Sequence, residues 1–137
     1  MDGFNTSATA ADLVRPDLAR GGLAPWQVRT LNAHIDANLE GEISVEELAG
    51  LVRLSTSHFG RAFKQTYGRT PHAYVIAERI ERAQELMLGT VEPLAQIASA
   101  VGLADQSHLS RLFRQITGES PFAWRRARWA PAGMTVQ

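Results

Sequence analysis

Leu48-Ala49-Gly50-Leu51-Val52-Arg53-Leu54-Ser55-Thr56-Ser57-His58-Phe59-Gly60-Arg61-Ala62-Phe63-Lys64 returns later in the chain as Ile97-Ala98-Ser99-Ala100-Val101-Gly102-Leu103-Ala104-Asp105-Gln106-Ser107-His108-Leu109-Ser110-Arg111-Leu112-Phe113-Arg114. The two stretches align once Gln106 is treated as an insertion. The match then runs on through Gly68, Pro71 and Tyr74 against Gly118, Pro121 and Trp124. A self-match of this extent means that one structural unit is built twice. The segment between the copies reads as a linking helix from His72 to about Leu88. Pro71 suits its start, Gly89 its end, and Ala73, Ile76, Ala77, Ile80, Ala83 and Met87 form one apolar stripe.

Within the first copy, Ser44 followed three residues later by Glu47 forms a capping box before Val45, Leu48, Leu51 and Val52. Ser55 can cap the next helix, whose inner stripe is Phe59, Ala62, Phe63 and Thr66 and whose stop is Gly68. Two short helices joined by a tight turn, the second amphipathic and basic on its outer face, match the helix-turn-helix pattern. Ser57, Gly60, Arg61 and Lys64 stand at i, i+3, i+4 and i+7, so they share the side opposite the phenylalanines. In the second copy Leu94, Ile97 and Val101 point inward and Gly102 makes the turn. Asp105 caps a helix with Leu109, Leu112, Phe113 and Ile116 as core and Gln106, Ser107, Ser110, Arg111 and Arg114 outside. A further helix precedes the repeat, with Pro25 at its start, Val28, Leu31, Ile35 and Leu39 at helical spacing and Gly41 as its stop. A last one runs from Pro121 to Trp129 and carries Arg125, Arg126 and Arg128.

The expected fold is therefore all-α. Its divisions are an N-terminal arm (1–22), a first helix-turn-helix unit (23–70), the linking helix (71–89), a second unit (90–130) and a tail (131–137). At 137 residues and 45% apolar content the chain can bury one moderate core or two small ones in contact. Cysteine is absent, which removes disulfides, thiolate nucleophiles and the usual structural zinc sites and suits a reducing, cytoplasmic setting. The start of the chain has no basic segment followed by an apolar run. The longest uncharged stretch, near Pro93 to Ala104, is too short for a bilayer, so no membrane partner is expected. Net charge is zero but unevenly placed: residues 1–47 carry eight acids and three arginines, net −5, and residues 48–137 eleven bases and six acids, net +5. Thirteen of the fourteen bases are arginine, a bias that suits forked contacts to phosphate and guanine as well as a GC-rich genome.

Val101-Gly102-Leu103, Gln106-Ser107-His108-Leu109-Ser110-Arg111, Phe113-Arg114, Gly118-Glu119-Ser120-Pro121 and Trp124-Arg125 together resemble the DNA-binding domain of the AraC/XylS family of bacterial transcription regulators. The resemblance covers about Leu23 to Trp129 and includes Arg79-Ile80-Glu81-Arg82-Ala83 of the linking helix. It implies seven helices, with two recognition helices entering successive major-groove segments on one face of double-stranded DNA. Carried over by position, the first would offer Ser57, Gly60, Arg61 and Lys64, and the second Gln106, Ser107, Ser110 and Arg111. Leu103 and Leu109 stand where the family usually has phenylalanine, and Trp124 where it usually has tyrosine. The departure with a consequence is Gly60, which puts no side chain at a position that often reaches toward a base. Most members carry a separate effector-binding domain for which 137 residues leave no room, so the chain is expected to be a small member without one. A DNA-binding fragment of a longer effector-responsive regulator is the other reading.

Ser57, Arg61, Gln106, Ser107, Ser110 and Arg111 are thus the base-reading candidates, arginine because it can hold guanine O6 and N7 at once. Gln106 could equally cap its helix. Lys64, Arg114, Arg125 and Arg126 are phosphate candidates, which set register without reading sequence; Arg125 could equally be a packing arginine. The linking helix, about 17 residues and so roughly 25 Å long, can help to set two reading heads one DNA turn apart, about 34 Å. A monomer on an asymmetric site follows, because both heads lie in one chain. His58 and His108 recur beside Ser57 and Ser107, but neighbours on a helix point about 100° apart and no acid or cysteine joins them. They border the core. No catalytic residue, metal or cofactor is expected. The competing class is a protein-interaction module acting through the arm and the acidic first helix on another regulator or on RNA polymerase, itself an expected partner of an activator.

Overall fold

A computed structural model describes residues 21–129; the expected arm (but for its last two residues) and the tail lie outside the described residues. Seven helices, and among the described residues no strand, follow one another: α1 (Pro25–Ala37), α2 (Val45–Leu51), α3 (Thr56–Tyr67), α4 (Pro71–Gly89), α5 (Leu94–Ala100), α6 (Gln106–Thr117) and α7 (Pro121–Arg128). This is the all-α, seven-helix arrangement expected. Packing divides it into two units. Unit 1 holds 21–38 and Ile43–Val75, and unit 2 holds Leu39–Glu42 and 76–129. α4 is shared between them, its residues through Val75 falling in unit 1 and those from Ile76 in unit 2.

Unit 1 is built around Leu23, Leu31, Ile35, Leu48, Ala49, Val52, Phe59, Ala62 and Phe63, all buried. α1 stops at Ala37, short of Gly41, because Asn38 Nδ2 donates to the His34 carbonyl at 2.8 Å and so takes a helix-end acceptor. Leu39, read as the last residue of the α1 stripe, is buried but outside the helix and within unit 2. At the start of α2 only half of the capping box forms. Ser44 Oγ accepts from Glu47 N at 3.0 Å, but the Glu47 carboxylate turns to His34 Nε2 on α1. Val45 and Leu51, apolar residues that follow the cap, remain more than a third exposed. Beneath α3, Phe63 stacks on Tyr67 with ring centroids 3.9 Å apart, and Tyr74 meets both rings edge-on. Leu23 N donates to Thr66 Oγ1 at 2.8 Å, which ties the chain entering α1 to the far end of α3.

Unit 2 repeats the plan with Ile80, Ala83, Met87, Ile97, Ala98, Val101, Leu103, Leu109, Phe113 and Trp124. Phe113 and Trp124 meet edge-on at 5.6 Å. Ile116 was expected in this core but is 49% exposed, since α6 turns it past the edge of the Leu109–Phe113 column.

The repeat is visible in backbone detail. α2 and α5 each end in a Schellman turn, with Leu54 N bonded to Ala49 O at 3.0 Å and Leu103 N to Ala98 O at 2.9 Å. The left-handed residue between is Arg53 (φ 63°) in the first copy and Gly102 (φ 83°) in the second. Ser55 Oγ accepts from His58 N, and Asp105 Oδ1 from His108 N, so the two N-caps correspond. Hence Thr56 matches Gln106, and the inserted residue is Ala104 in the turn. The turn, not the recognition helix, absorbs the extra residue, because an insertion inside α6 would rotate its whole buried stripe by about 100°.

Candidate nucleic-acid interface

α3 and α6 are each twelve residues long, and each carries two basic side chains and no acid. Their amphipathicity comes from the column buried beneath them: Phe59, Ala62 and Phe63 in α3, Leu109 and Phe113 in α6. The opposite side of α3 exposes Ser57, Arg61 and Lys64, with Gly60 half-buried among them. That of α6 exposes Gln106, Ser107, Arg111 and Arg114, with Ser110 half-buried. Each set shares one face of its own helix at the expected spacing. None of these side chains takes part in a hydrogen bond or ion pair among the described residues. Asp105 supplies the cap of α6, so the capping alternative for Gln106 falls away and its amide stands exposed in the first turn.

The histidines differ. His108 Nδ1 accepts from Ala104 N at 3.2 Å, a bond that braces the lengthened turn ahead of α6, whereas His58 is exposed. Among the described residues no group of His, Cys, Asp or Glu is placed to hold a metal ion, and no helix is long and apolar enough to cross a membrane.

Arg125, read as a phosphate candidate or equally as a packing arginine, makes the contacts of a structural clamp. Its Nε donates to Met87 O at 2.9 Å, Nη1 to Glu92 O at 2.7 Å and Nη2 to Thr90 O at 2.7 Å, while its face lies 4.9 Å from the centre of the Trp129 ring. It thus closes the end of α4 and the loop to α5, whose carbonyls have no helical partner. Hydrogen bonds from a charged donor contribute about 1.5 to 3 kcal/mol each, and they are not additive. Arg125→Ala is therefore expected to destabilise unit 2 by about 3 kcal/mol. The salt dependence of DNA binding should not change; a melting curve and a salt titration check the two halves.

Arg79 is the residue that sequence reasoning passed over. From α4 its Nη2 donates to Gly41 O at 2.6 Å and its Nη1 to Gly102 O at 3.2 Å, fastening Leu39–Glu42 and the α5–α6 turn to the same core. Desolvation by burial lowers its pKa from the ordinary arginine value. The signal was available: Arg79 lies with Ile76, Ile80 and Ala83 at i, i+3, i+4 and i+7, and an arginine on an apolar stripe is placed to serve the fold. Arg125 stands likewise beside buried Pro121 and Trp124. Arg126 differs, being exposed with its guanidinium 5.4 Å from the ring centre of Phe122; a face laid against an aromatic leaves the N–H edge free for an oxyanion.

Residues 48–127 match the family model described as a helix-turn-helix domain, and the match runs through both copies of the repeat. The chain belongs to the AraC/XylS family of DNA-binding transcription regulators. The probable transcriptional regulator LumQ of Photobacterium leiognathi is 37% identical over 91 residues, 66% of this chain and 37% of that protein. The C-terminal domain of AraT, a response regulator from Geobacillus stearothermophilus, superposes with a TM-score of 0.76 at 28% identity, covering 84% of this chain and 95% of that one. The DNA-binding domain of AdpA, a global transcriptional factor solved in complex with a target DNA, gives a TM-score of 0.69 at 27% identity, covering 74% and 90%. The chain spans little more than a third of the length of the first curated relatives it matches.

Proposed function

We propose that this chain regulates transcription by binding an asymmetric site on double-stranded DNA, with α3 and α6 in two successive major-groove segments. The observation that carries this is the pair of matching exposed faces, Ser57, Arg61 and Lys64 on one helix and Ser107, Arg111 and Arg114 on the other, opposite matching buried columns. The complex of the similar AdpA domain with a target DNA supports it. Arg61, Arg111 and Gln106 read base edges with help from Ser57, Ser107 and Ser110, while Lys64, Arg114 and Arg126 hold phosphates. Two heads in one polypeptide make the binding species a monomer and remove the need for a palindrome. The reading extends to a cytoplasmic activator that contacts RNA polymerase.

The division of roles is tested by randomised-site selection followed by titration of the selected duplex. Arg111→Ala is expected to cost about 1 to 3 kcal/mol and to relax one position of the second box, as a lost bidentate base contact does. Lys64→Ala should weaken all sequences alike and reduce the log–log salt slope by about one. The first box should be the less sharply defined, because α3 has Arg61 as its long base-reading side chain where α6 has both Gln106 and Arg111. The opposite pattern, Lys64→Ala altering the selected sequence and Arg111→Ala leaving it intact, would refute the assignment.

A further inference from the structure

Gly60 is a glycine that the fold does not require. It lies in the middle of α3, and a Cβ built on it meets no heavy atom within 4 Å. Its φ is not among the positive values, so alanine would fit and would favour the helix over glycine. Gly50 and Gly89 also have open space, but they stand at the ends of α2 and α4, where a glycine disturbs little. Gly60 instead sits between Ser57, Arg61 and Lys64 on the exposed face, where unit 2 has Ser110. The face of α3 thus contains a notch floored by backbone and bordered by a serine and an arginine.

A glycine lets an outside group come close to the backbone. Helix-interior amides are tied into the helix, so the notch offers no free donor and does not suit a hydrogen-bonding base edge. The major groove presents one apolar projection, the C5 methyl group of thymine. We propose that Gly60 is a specificity-determining position that seats a thymine methyl group in the first box. This rests on α3 being a recognition helix, as proposed above.

The test combines base and side-chain changes. On the selected duplex, each thymine of the first box is replaced singly by deoxyuridine, which removes only the methyl group. One replacement should weaken wild-type binding about fourfold, the effect of one buried carbon. Gly60→Ala should melt roughly 4 to 8 °C higher, as helix propensity dictates. The same variant should bind the first box about tenfold more weakly, because the added methyl overfills the notch, and should lose its sensitivity to deoxyuridine. Gain of stability with loss of affinity separates a reading role from a structural one. A first box without thymine, indifference of the wild type to every replacement, or full affinity in Gly60→Ala overturns the proposal. If Arg111→Ala still relaxes the second box in that case, the DNA-reading account survives and only the notch is wrong. If the wild type shows no sequence-specific binding, both fall.

Discussion

Raising salt from 50 to 200 mM is expected to weaken binding of the protein to its site by roughly 40-fold. Three exposed cations are the ones assigned to phosphates: Lys64, Arg114 and Arg126. Each that displaces a condensed counterion from duplex DNA contributes about −0.9 to the slope of log affinity against log salt. Three give a slope of about −2.7, and a fourfold rise in salt then yields the stated loss. The net charge of the chain is zero, so the whole molecule provides no such attraction. The effect must come from the exposed lysine and arginines themselves, Lys64 on α3, Arg114 on α6 and Arg126 on α7. A fluorescence titration at four or five salt concentrations measures the slope. A slope near zero would mean that these faces do not meet phosphates, and the protein-interaction alternative would then take precedence.

The second large effect concerns stability. Gly102→Ala is expected to cost unit 2 about 3 kcal/mol or more, because two penalties coincide. A non-glycine residue in the left-handed region costs about 1 to 2 kcal/mol. A Cβ at this position would also stand 2.3 Å from the carbonyl oxygen of Leu39, a backbone atom that cannot swing aside, and 3.1 Å from Arg79 Cζ. Overpacking of this sort adds about 1 to 3 kcal/mol. The equivalent residue in unit 1 supplies the control. Arg53 already holds a left-handed φ of 63°, so Arg53→Gly should be neutral or stabilising by up to about 1 kcal/mol. Thermal melting of both variants checks the contrast, with a kilocalorie corresponding to roughly 4 to 8 °C in a unit of this size. Equal small effects at the two positions would show that the approach of Leu39–Glu42 to Gly102 does not constrain the fold.

What the sequence made legible was local. Ser55 and Asp105 were recognisable as caps, and the aromatic columns as cores, because each depends on residues within one or two turns. The match to the family rests on the same features. Interactions that span the sequence were not legible. Arg125 reaches carbonyls 33 to 38 residues away, and an arginine's charge says nothing about whether phosphate or a backbone oxygen will receive its protons. Glu47 had two acceptable uses, closing the box at Ser44 or meeting His34, and the placement of α1 chose the second. Ile116 was assigned to the core from its spacing, but a helix stripe says which way a residue faces and not how far the neighbouring layer extends. The insertion was assigned to Gln106 because letters match more easily than caps do. In each case the missing term was a distance between elements.

If two heads in one chain read two adjacent segments of the major groove, guanine N7 methylation interference on the selected duplex will map both. Interference is expected in two clusters whose centres lie about 10 base pairs apart on one face, with unlike sequences in the two. In Arg111→Ala, one position of the second cluster should lose its interference while the first cluster stays as it was. Interference in a single cluster, or in a symmetric pair that requires two chains, would contradict two-headed reading by one chain.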